Sequence, residues 1–312
     1  MKINKYSASR AQTFQWCDFK YHLTYELYKR DELSQSRYYF AFGEIVHEIL
    51  EYIVYHGLDC DWKSYIIGLF NQQYPFDNMN ADGLGKKVKE KFYVDKQCKK
   101  CPVYDKKYKT CKIMRFAPVD SFEGCPKYFY LKAIDMVEDL INRYQSIFKS
   151  GIRSELNPNG KILGVEHEFN LTLDKDKYGD DIKLNGFIDL IVENDAETID
   201  IIDYKTGKSK STTELMKDIQ ARTYAYVISE LFPQYPYQML TFEYLSESPV
   251  TICFTKNDIK NIKQEIKDSW HQIKNRVNLS RRKGPEDFVC KYMCDWNICS
   301  QHWAEHQKGF DV

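Results

Sequence analysis

Asp189, Asp203 and Lys205 are the residues of this chain best suited to chemistry. Asp189 sits in Gly186-Phe187-Ile188-Asp189-Leu190, inside the apolar run from Leu184 to Val192. Asp203 and Lys205 end the run Thr198-Ile199-Asp200-Ile201-Ile202-Asp203-Tyr204-Lys205, and Thr206 and Gly207 follow. An unpaired carboxylate in apolar surroundings is costly, so Asp189 calls for a cationic partner. Carboxylate oxygens are hard ligands and suit Mg²⁺ or Mn²⁺. Such an ion activates a water and stabilises charge on a reacting group, and a lysine beside it adds counter-charge. These are the parts that metal-assisted phosphodiester hydrolysis needs. Asp-x-Lys alone reads as an ordinary ion pair at a strand end. Asp189 and the helix downstream shift the reading towards a reactive site.

The elements that must position these groups are legible from periodicity. The β-branched run 198–205 reads as a strand. Period two then places Ile199, Ile201, Asp203 and Lys205 on one face. Leu184 to Val192 reads as its neighbour, and Gly207 permits a sharp exit turn. A helix is expected over Thr212 to Leu231, capped by Ser211 or Thr212, with Pro233 beyond its end. Gln220 and Tyr224 share a face of it at i, i+4, which alone suggests a surface pair or plain core. A further helix runs from Phe40 to Gly57, where Ile45, Ile49, Tyr52 and Ile53 recur at helical spacing and Gly57 fits a stop. Gly43 lies one turn from His47 and leaves space beside the imidazole. A lone helical histidine is usually solvated or a satisfied core residue; beside acids it is a candidate metal ligand.

Together these pieces resemble the PD-(D/E)XK nuclease superfamily. The likeness is to its RecB-like branch, which includes nuclease domains of bacterial helicase–nucleases and CRISPR-associated RecB-like iron–sulfur exonucleases. That pattern runs Gly-x-x-x-His helix, Glu-bearing strand, Gly-x-x-Asp, Asp-x-Lys and Gln-x-x-x-Tyr. Here the motifs are Gly43 to His47, Glu166 in Val165-Glu166-His167-Glu168-Phe169, Gly186 to Asp189, Asp203 to Lys205, and Gln220 to Tyr224. Order and spacing match over most of the chain, with about 58 to 160 uncovered. The resemblance implies a metal held by His47, Asp189, Asp203 and the Tyr204 carbonyl. It implies Lys205 as catalytic lysine, and Gln220 and Tyr224 positioning DNA or that lysine. Glu166 is the strand acid, although Glu168 shares its expected strand face. Asp203 stands where the superfamily pattern allows Asp or Glu, and its shorter reach bears on metal preference.

Ten cysteines without an apolar leader after Met1-Lys2-Ile3-Asn4-Lys5 do not suggest a secreted disulfide protein. No apolar stretch has the length of a membrane span. In a reducing cytoplasm, clustered cysteines point to metal. Cys290, Cys294 and Cys299 cluster near one end and Cys17 near the other. The resemblance implies a [4Fe–4S] cluster on these four thiolates, with Zn²⁺ as the alternative at the same cysteines. Two departures stand out. Asp18 replaces the family's usual proline after the first cysteine. The C-terminal spacing is Cys-x3-Cys-x4-Cys where the family usually shows Cys-x2-Cys-x5-Cys. A second group, Cys98, Cys101, Cys111 and Cys125, opens with the metal-knuckle spacing Cys-x2-Cys, and its two further cysteines would complete a Cys₄ zinc site although their spacings are not diagnostic. Its surroundings are poor in apolar periodicity, so a structural metal would supply the missing stability. Cys125-Pro126-Lys127-Tyr128 also resembles the N-terminal cysteine motif, so Cys125 competes with Cys17 as fourth cluster ligand. Cys60 and Cys253 are expected to pack as small hydrophobes.

Lysines and arginines balance acids at 45 each, so attraction to nucleic acid must be local. Candidate patches are Lys99, Lys100, Lys106, Lys107, Lys109 and Lys112, then Lys208 and Lys210, then Arg281, Arg282 and Lys283. Each also reads as a solvated loop. Tyr104 and Tyr108 interleave with the first patch, as single-strand stacking requires. The expected fold is α/β, a restriction-endonuclease-like mixed sheet flanked by helices, with a helical, cysteine-rich insertion. Its parts are N-terminal helices at 1–58, the insertion at 59–155, the catalytic core at 156–277 and a cysteine segment at 278–312. A long helix is expected over Lys127 to Ser150, and a last core helix over 256–277.

The function expected is a metal-dependent DNA exonuclease, acting on single strands or free ends in recombination, repair or phage/CRISPR-type DNA processing. An endonuclease of the same superfamily and a non-catalytic nucleic-acid-binding subunit of a nuclease complex are the alternatives. No Walker A sequence occurs, so a separate helicase or recombination or integration partner is expected. The expected location is the cytoplasm, with no membrane contact.

Overall fold

The computed structural model describes residues 5–28, 37–57, 60–73, 104–105, 110–111, 126–143, 161–176, 179, 181–276, 278–280, 287, 290, 294 and 296–308. Strand β1 (Lys5–Tyr6) is followed by helices α1 (Ala8–Trp16) and α2 (Asp18–Tyr21) and a π-helical turn at His22–Glu26. Helices α3 (Arg37–His56) and α4 (Trp62–Gln73), the short strands β2 (Tyr104–Asp105) and β3 (Thr110–Cys111), and helix α5 (Pro126–Arg143) come next. The stretch that follows carries β4 (Lys161–Lys175), β5 (Asp181–Glu193), β6 (Thr198–Lys205), α6 (Thr212–Leu215), α7 (Ile219–Leu231), β7 (Tyr237–Tyr244), β8 (Val250–Phe254) and α8 (Lys256–Asn275). Helix α9 (Trp296–Lys308) is the last described element.

Six of the described strands make one mixed sheet, and β2 and β3 pair antiparallel on their own. β4 pairs antiparallel with β5, β5 with β6 and β7 with β8, while β6 and β7 run parallel. The parallel step is bridged by α6 and α7, as such a crossover requires. β1 adds parallel to β5 at Lys183 and Leu184. Both sheet faces are covered. On one side Ala221, Ala225 and Ile228 of α7 and Ile262, Ile266 and Trp270 of α8 pack on Ile199, Ile201 and Leu240. On the other, Ile45, Ile49 and Ile53 of α3, Ile66 of α4 and Phe129 and Val137 of α5 pack on Leu190, Val192 and Tyr204. Successive residues of β6 thus serve opposite cores, which is why the run is apolar rather than alternating.

Ser211 caps α6 through a capping box with Glu214. The expected helix from 212 to 231 is broken, however. Asp218 accepts from the Gln220 and Ala221 N–H groups and starts α7 afresh. An aspartate at that position satisfies donors that a continuous helix would bond internally. Gly57 has φ 75 and ends α3 as expected. Gly207 does not have a positive φ, so the exit from β6 needs no left-handed residue.

Alternation slips at the site. Ile182, Leu184 and Ile188 of β5 belong to the α7 side, whereas Leu190 and Val192 belong to the α3 side. The phase changes at Asp189. Across the ladder β4 changes phase too: Phe169 and Leu171 face α7, Val165 faces α3. Glu166, between them, has φ 44. The shared face expected of Glu166 and Glu168 therefore fails: Glu166 is half-buried at the site and Glu168 is exposed. Gly186 is needed for a local reason, because a Cβ there would lie 2.7 Å from the Phe169 ring opposite.

Candidate active site

β5 and β6 pair only from Leu190↔Ile202 to Glu193↔Ile199. Beyond that they part, and β6 stays with β7 as far as Lys205↔Tyr244. Asp189 and Asp203 lie at the mouth of this fork. Where the ladder would continue, the Tyr204 N–H donates to Asp189 Oδ2 at 2.7 Å. A side chain thus replaces a lost strand bond and fixes the carboxylate. On the α3 side, His47 Nδ1 is 3.4 Å from Asp189 Oδ1. Glu166 completes this group: the ligand atoms of His47, Glu166 and Asp189 all lie within 4.8 Å of one another. A Cβ on Gly43 would meet Thr206 Oγ1 at 3.9 Å, ordinary contact, so the glycine's space faces Thr206 and not the imidazole as expected.

From the α7 side come the lysine and its supports. Lys205 Nζ is 2.5 Å from Asp203 Oδ2 and donates to Gln220 Oε1 at 2.9 Å. The Gln220 amide donates to Asp203 Oδ1 at 3.1 Å and to the Tyr224 hydroxyl at 2.8 Å. Tyr224 in turn donates to the Phe187 carbonyl at 2.9 Å. The pair that reads as surface or core in sequence is therefore part of a chain of donors that starts at the lysine and ends on the Phe187 carbonyl. Asp203 Oδ2 is buried and, although close to the ammonium, accepts no aligned hydrogen bond. Both Asp203 oxygens are engaged, Oδ2 by the ammonium and Oδ1 by Gln220, and Asp203 is not among the three residues whose ligand atoms converge.

Charge accounts for the protonation states. Burial alone would pull His47 down, but the Asp189 carboxylate, with Asp203 behind it, pushes the imidazole up to about 9. Burial and the Asp189 charge push Glu166 up to about 7. Burial would raise Asp189, yet His47, the Tyr204 N–H and Lys205 hold it below the ordinary carboxylate range. Burial raises Asp203 despite Lys205, and Asp189 adds to the rise. Burial would lower Lys205, but Asp203 outweighs it and keeps the ammonium charged. Without a cation, protons on His47 and Glu166 offset three crowded acids. That donor set fits a divalent ion, which would displace those protons.

The cysteines divide. Cys290, Cys294 and Cys299 are buried, and Cys17 is half-buried. Cys17 and Cys299 share a small apolar cluster with Phe19, Leu23 and Trp303, so the two ends of the described chain meet. Cys17 Sγ caps α2 by accepting from the Lys20 N–H at 3.4 Å. Asp18, in the place of proline, accepts from the Ser280 N–H at 2.8 Å and so holds the C-terminal segment. Cys60 packs against the α3 core, but Cys253 is exposed rather than packed, because it alternates with the buried Ile252 and Phe254 and takes the outer face of β8. Cys98, Cys101 and Cys125 lie outside the described residues, and Cys111 is described only through its pairing with Tyr104. The patches at 99–112 and 281–283 also lie outside them, apart from the two short strands. Lys208 and Lys210 are exposed, with Lys210 paired to Asp218. Among the described residues no helix is long and apolar enough to cross a membrane.

The sequence matches the PD-(D/E)XK nuclease superfamily over residues 5–300. No curated protein matches significantly. Among solved structures, a candidate exonuclease from Eubacterium rectale aligns with 92% of this chain and 87% of its own, at 12% identity and TM-score 0.43. A protein described as SSO0001 aligns with 55% of this chain and 72% of its own, at 19% identity and TM-score 0.31. These overlays are too loose to bear on the site.

Proposed function

The chain belongs to the PD-(D/E)XK nuclease superfamily, and on that premise we propose that it is a metal-dependent DNA exonuclease acting on single strands or free ends. The observation that carries the reading is the convergence of His47, Glu166 and Asp189 within 4.8 Å, with Asp203 and Lys205 paired at 2.5 Å beside them. His47, Glu166 and Asp189 would hold Mg²⁺ or Mn²⁺, with Asp203 and the Tyr204 carbonyl completing the set. The ion would supply Lewis acidity towards a phosphate and activation of the attacking water.

The chain's own groups do the rest. Lys205 is kept charged by Asp203, so it serves as counter-charge to the phosphate oxygens and orients the nucleophile rather than removing its proton. Gln220 holds the ammonium through Oε1 because its amide nitrogen is committed to Asp203 and Tyr224. Tyr224 is fixed by the Phe187 carbonyl and stays protonated, its hydroxyl raised well above its ordinary value by burial and the two aspartates. Lys205→Ala should abolish cutting of linear DNA while the chain remains folded by circular dichroism. Full activity in that variant would end this assignment.

Exonuclease rather than endonuclease action, and a role in recombination, repair or phage/CRISPR-type processing, rest on the resemblance to RecB-like enzymes. The same holds for a separate helicase or integration partner. The meeting of Cys17 with Cys299, and the burial of Cys290 and Cys294, support a [4Fe–4S] cluster at the chain ends. Zinc at Cys98, Cys101, Cys111 and Cys125 is proposed on spacing alone. Anaerobic purification should give brown protein with iron and sulfide, and about one zinc per chain. Colourless, iron-free protein would remove the cluster.

A further inference from the structure

Beside the metal-ligand group the structure has a cavity of about 660 Å³, within the size range of small-molecule sites. His47 and Glu166 form its inner end. From there it follows the polar face of α3 past Glu51 and Tyr52 to Tyr55 and His56, with Tyr65 of α4 opposite. From His47 to Tyr55 the helix rises roughly 12 Å. The cavity is therefore continuous with the site but reaches well beyond the reacting phosphate.

Its walls combine two chemistries. Tyr52 and Tyr65 stack with ring centroids 4.1 Å apart and planes at 19°, and Tyr52 also lies 4.4 Å from His56. Tyr55 is 63% exposed at the outer end. The remaining wall is acidic, with Glu44, Glu48 and Glu51, and no lysine or arginine lines it among the described residues. Burial and the Glu48 charge raise the Glu51 carboxyl, as in a wall without an opposing cation. Glu48 is engaged by the Tyr65 hydroxyl at 2.9 Å, which fixes the ring against Tyr52. These carboxylates repel phosphates, which disfavours a nucleic-acid backbone along the described wall. An uncharged, flat group with N–H donors on its edge suits both walls: an end of the His56–Tyr52–Tyr65 stack offers a ring face and the carboxylates accept.

We propose that this cavity receives a nucleobase of the substrate strand, next to the cleaved phosphodiester, stacked against the Tyr52–Tyr65 pair with its exocyclic amino group on Glu51. The proposal rests on the nuclease reading of the adjoining site. It makes α3 a substrate-reading element as well as the carrier of His47. It also gives the enzyme a base preference: cytosine, which presents an amino group, over thymine, which presents a carbonyl at the same position.

The test uses the full chain carrying Lys205→Ala, so that DNA is bound and not cut. Fluorescence anisotropy with dC and dT homopolymers in Mg²⁺ should show dC bound about fivefold more tightly. Tyr52→Leu should weaken binding of both on the order of tenfold, and Tyr52→Phe should retain it. Glu51→Gln should bring dC and dT to within about twofold of each other. Equal binding of both homopolymers, unaltered by Tyr52→Leu and Glu51→Gln, would overturn the base site while leaving the nuclease reading intact. The nuclease reading itself fails separately, if the chain with Lys205 in place cuts no DNA. An isothermal titration with Mn²⁺ alone checks the competing occupant: stoichiometry that falls in Glu51→Gln would assign the wall to a second cation and overturn the proposal.

Discussion

Glu166 is held at φ 44, a backbone region that costs a residue with a Cβ about 1–2 kcal/mol. The strain accompanies the phase change in β4 that brings its carboxylate to His47 and Asp189. Glu166→Gly should therefore raise the metal-free melting temperature by about 2 °C while weakening Mn²⁺ binding. Calorimetry and metal titration on the same sample check both signs; a lower melting temperature would contradict the account. Gln220 acts differently, through Lys205 rather than on a metal. Because Gln220 also donates to Asp203, Gln220→Leu should slow cutting by about 10- to 100-fold beyond any loss of Mn²⁺ affinity. Single-turnover rates measured beside Mn²⁺ titrations separate the two effects.

Among the elements, β6 was the most legible in sequence. Its β-branched run and the common face of Ile199 and Ile201 follow from period two, and Asp203 and Lys205 project to the α7 side as expected. What strand periodicity could not show was the phase slip at Glu166 and Asp189, because it depends on two strands departing from regular backbone together. Nor could it show the break before α7. Asp218 had the right type for a cap, but the expected helix ran through it. The same blindness to cross-strand context hid Asp200. It is half-buried against Thr241, whose hydroxyl donates at 3.0 Å, and removal from water pushes its carboxyl from 3.8 to about 6. The fold thus prefers Asp200 protonated. Its contribution is fully present below the ordinary aspartate value and is lost as pH rises from about 4 to about 6. Asp200→Asn should flatten that fall and stabilise the protein at pH 8 by about 1–2 kcal/mol, as read from urea unfolding at pH 4 and pH 8.

At the scale of the molecule, two layers of helices enclose a forked sheet, and the chain ends are tied together outside it. Arg276, just past α8, reaches Glu26 in the π-helical turn, and His22 Nδ1 lies 2.5 Å from the same carboxylate oxygen. Burial would raise Glu26, but Arg276 and His22 hold it below its ordinary value. This closure is thus fully present above the ordinary glutamate range and is lost as pH falls below it. Arg276→Met should cost about 2 kcal/mol at pH 7 and less at pH 3, measured by denaturant unfolding. Equal losses at both pH values would mean that packing of Arg276 on Tyr21 and Phe14, not its charge, holds the ends.

The central claim is that a divalent ion held at the fork between β5 and β6 drives phosphodiester cleavage from an end. End-labelled linear and circular single-stranded DNA, incubated with Mg²⁺, Mn²⁺ or EDTA, test it with the native chain and Asp203→Ala side by side. The account predicts metal-dependent loss of linear DNA alone, absent in EDTA and in the variant. Loss of circular DNA would make the enzyme an endonuclease, and cutting that survives EDTA or Asp203→Ala would contradict the site itself.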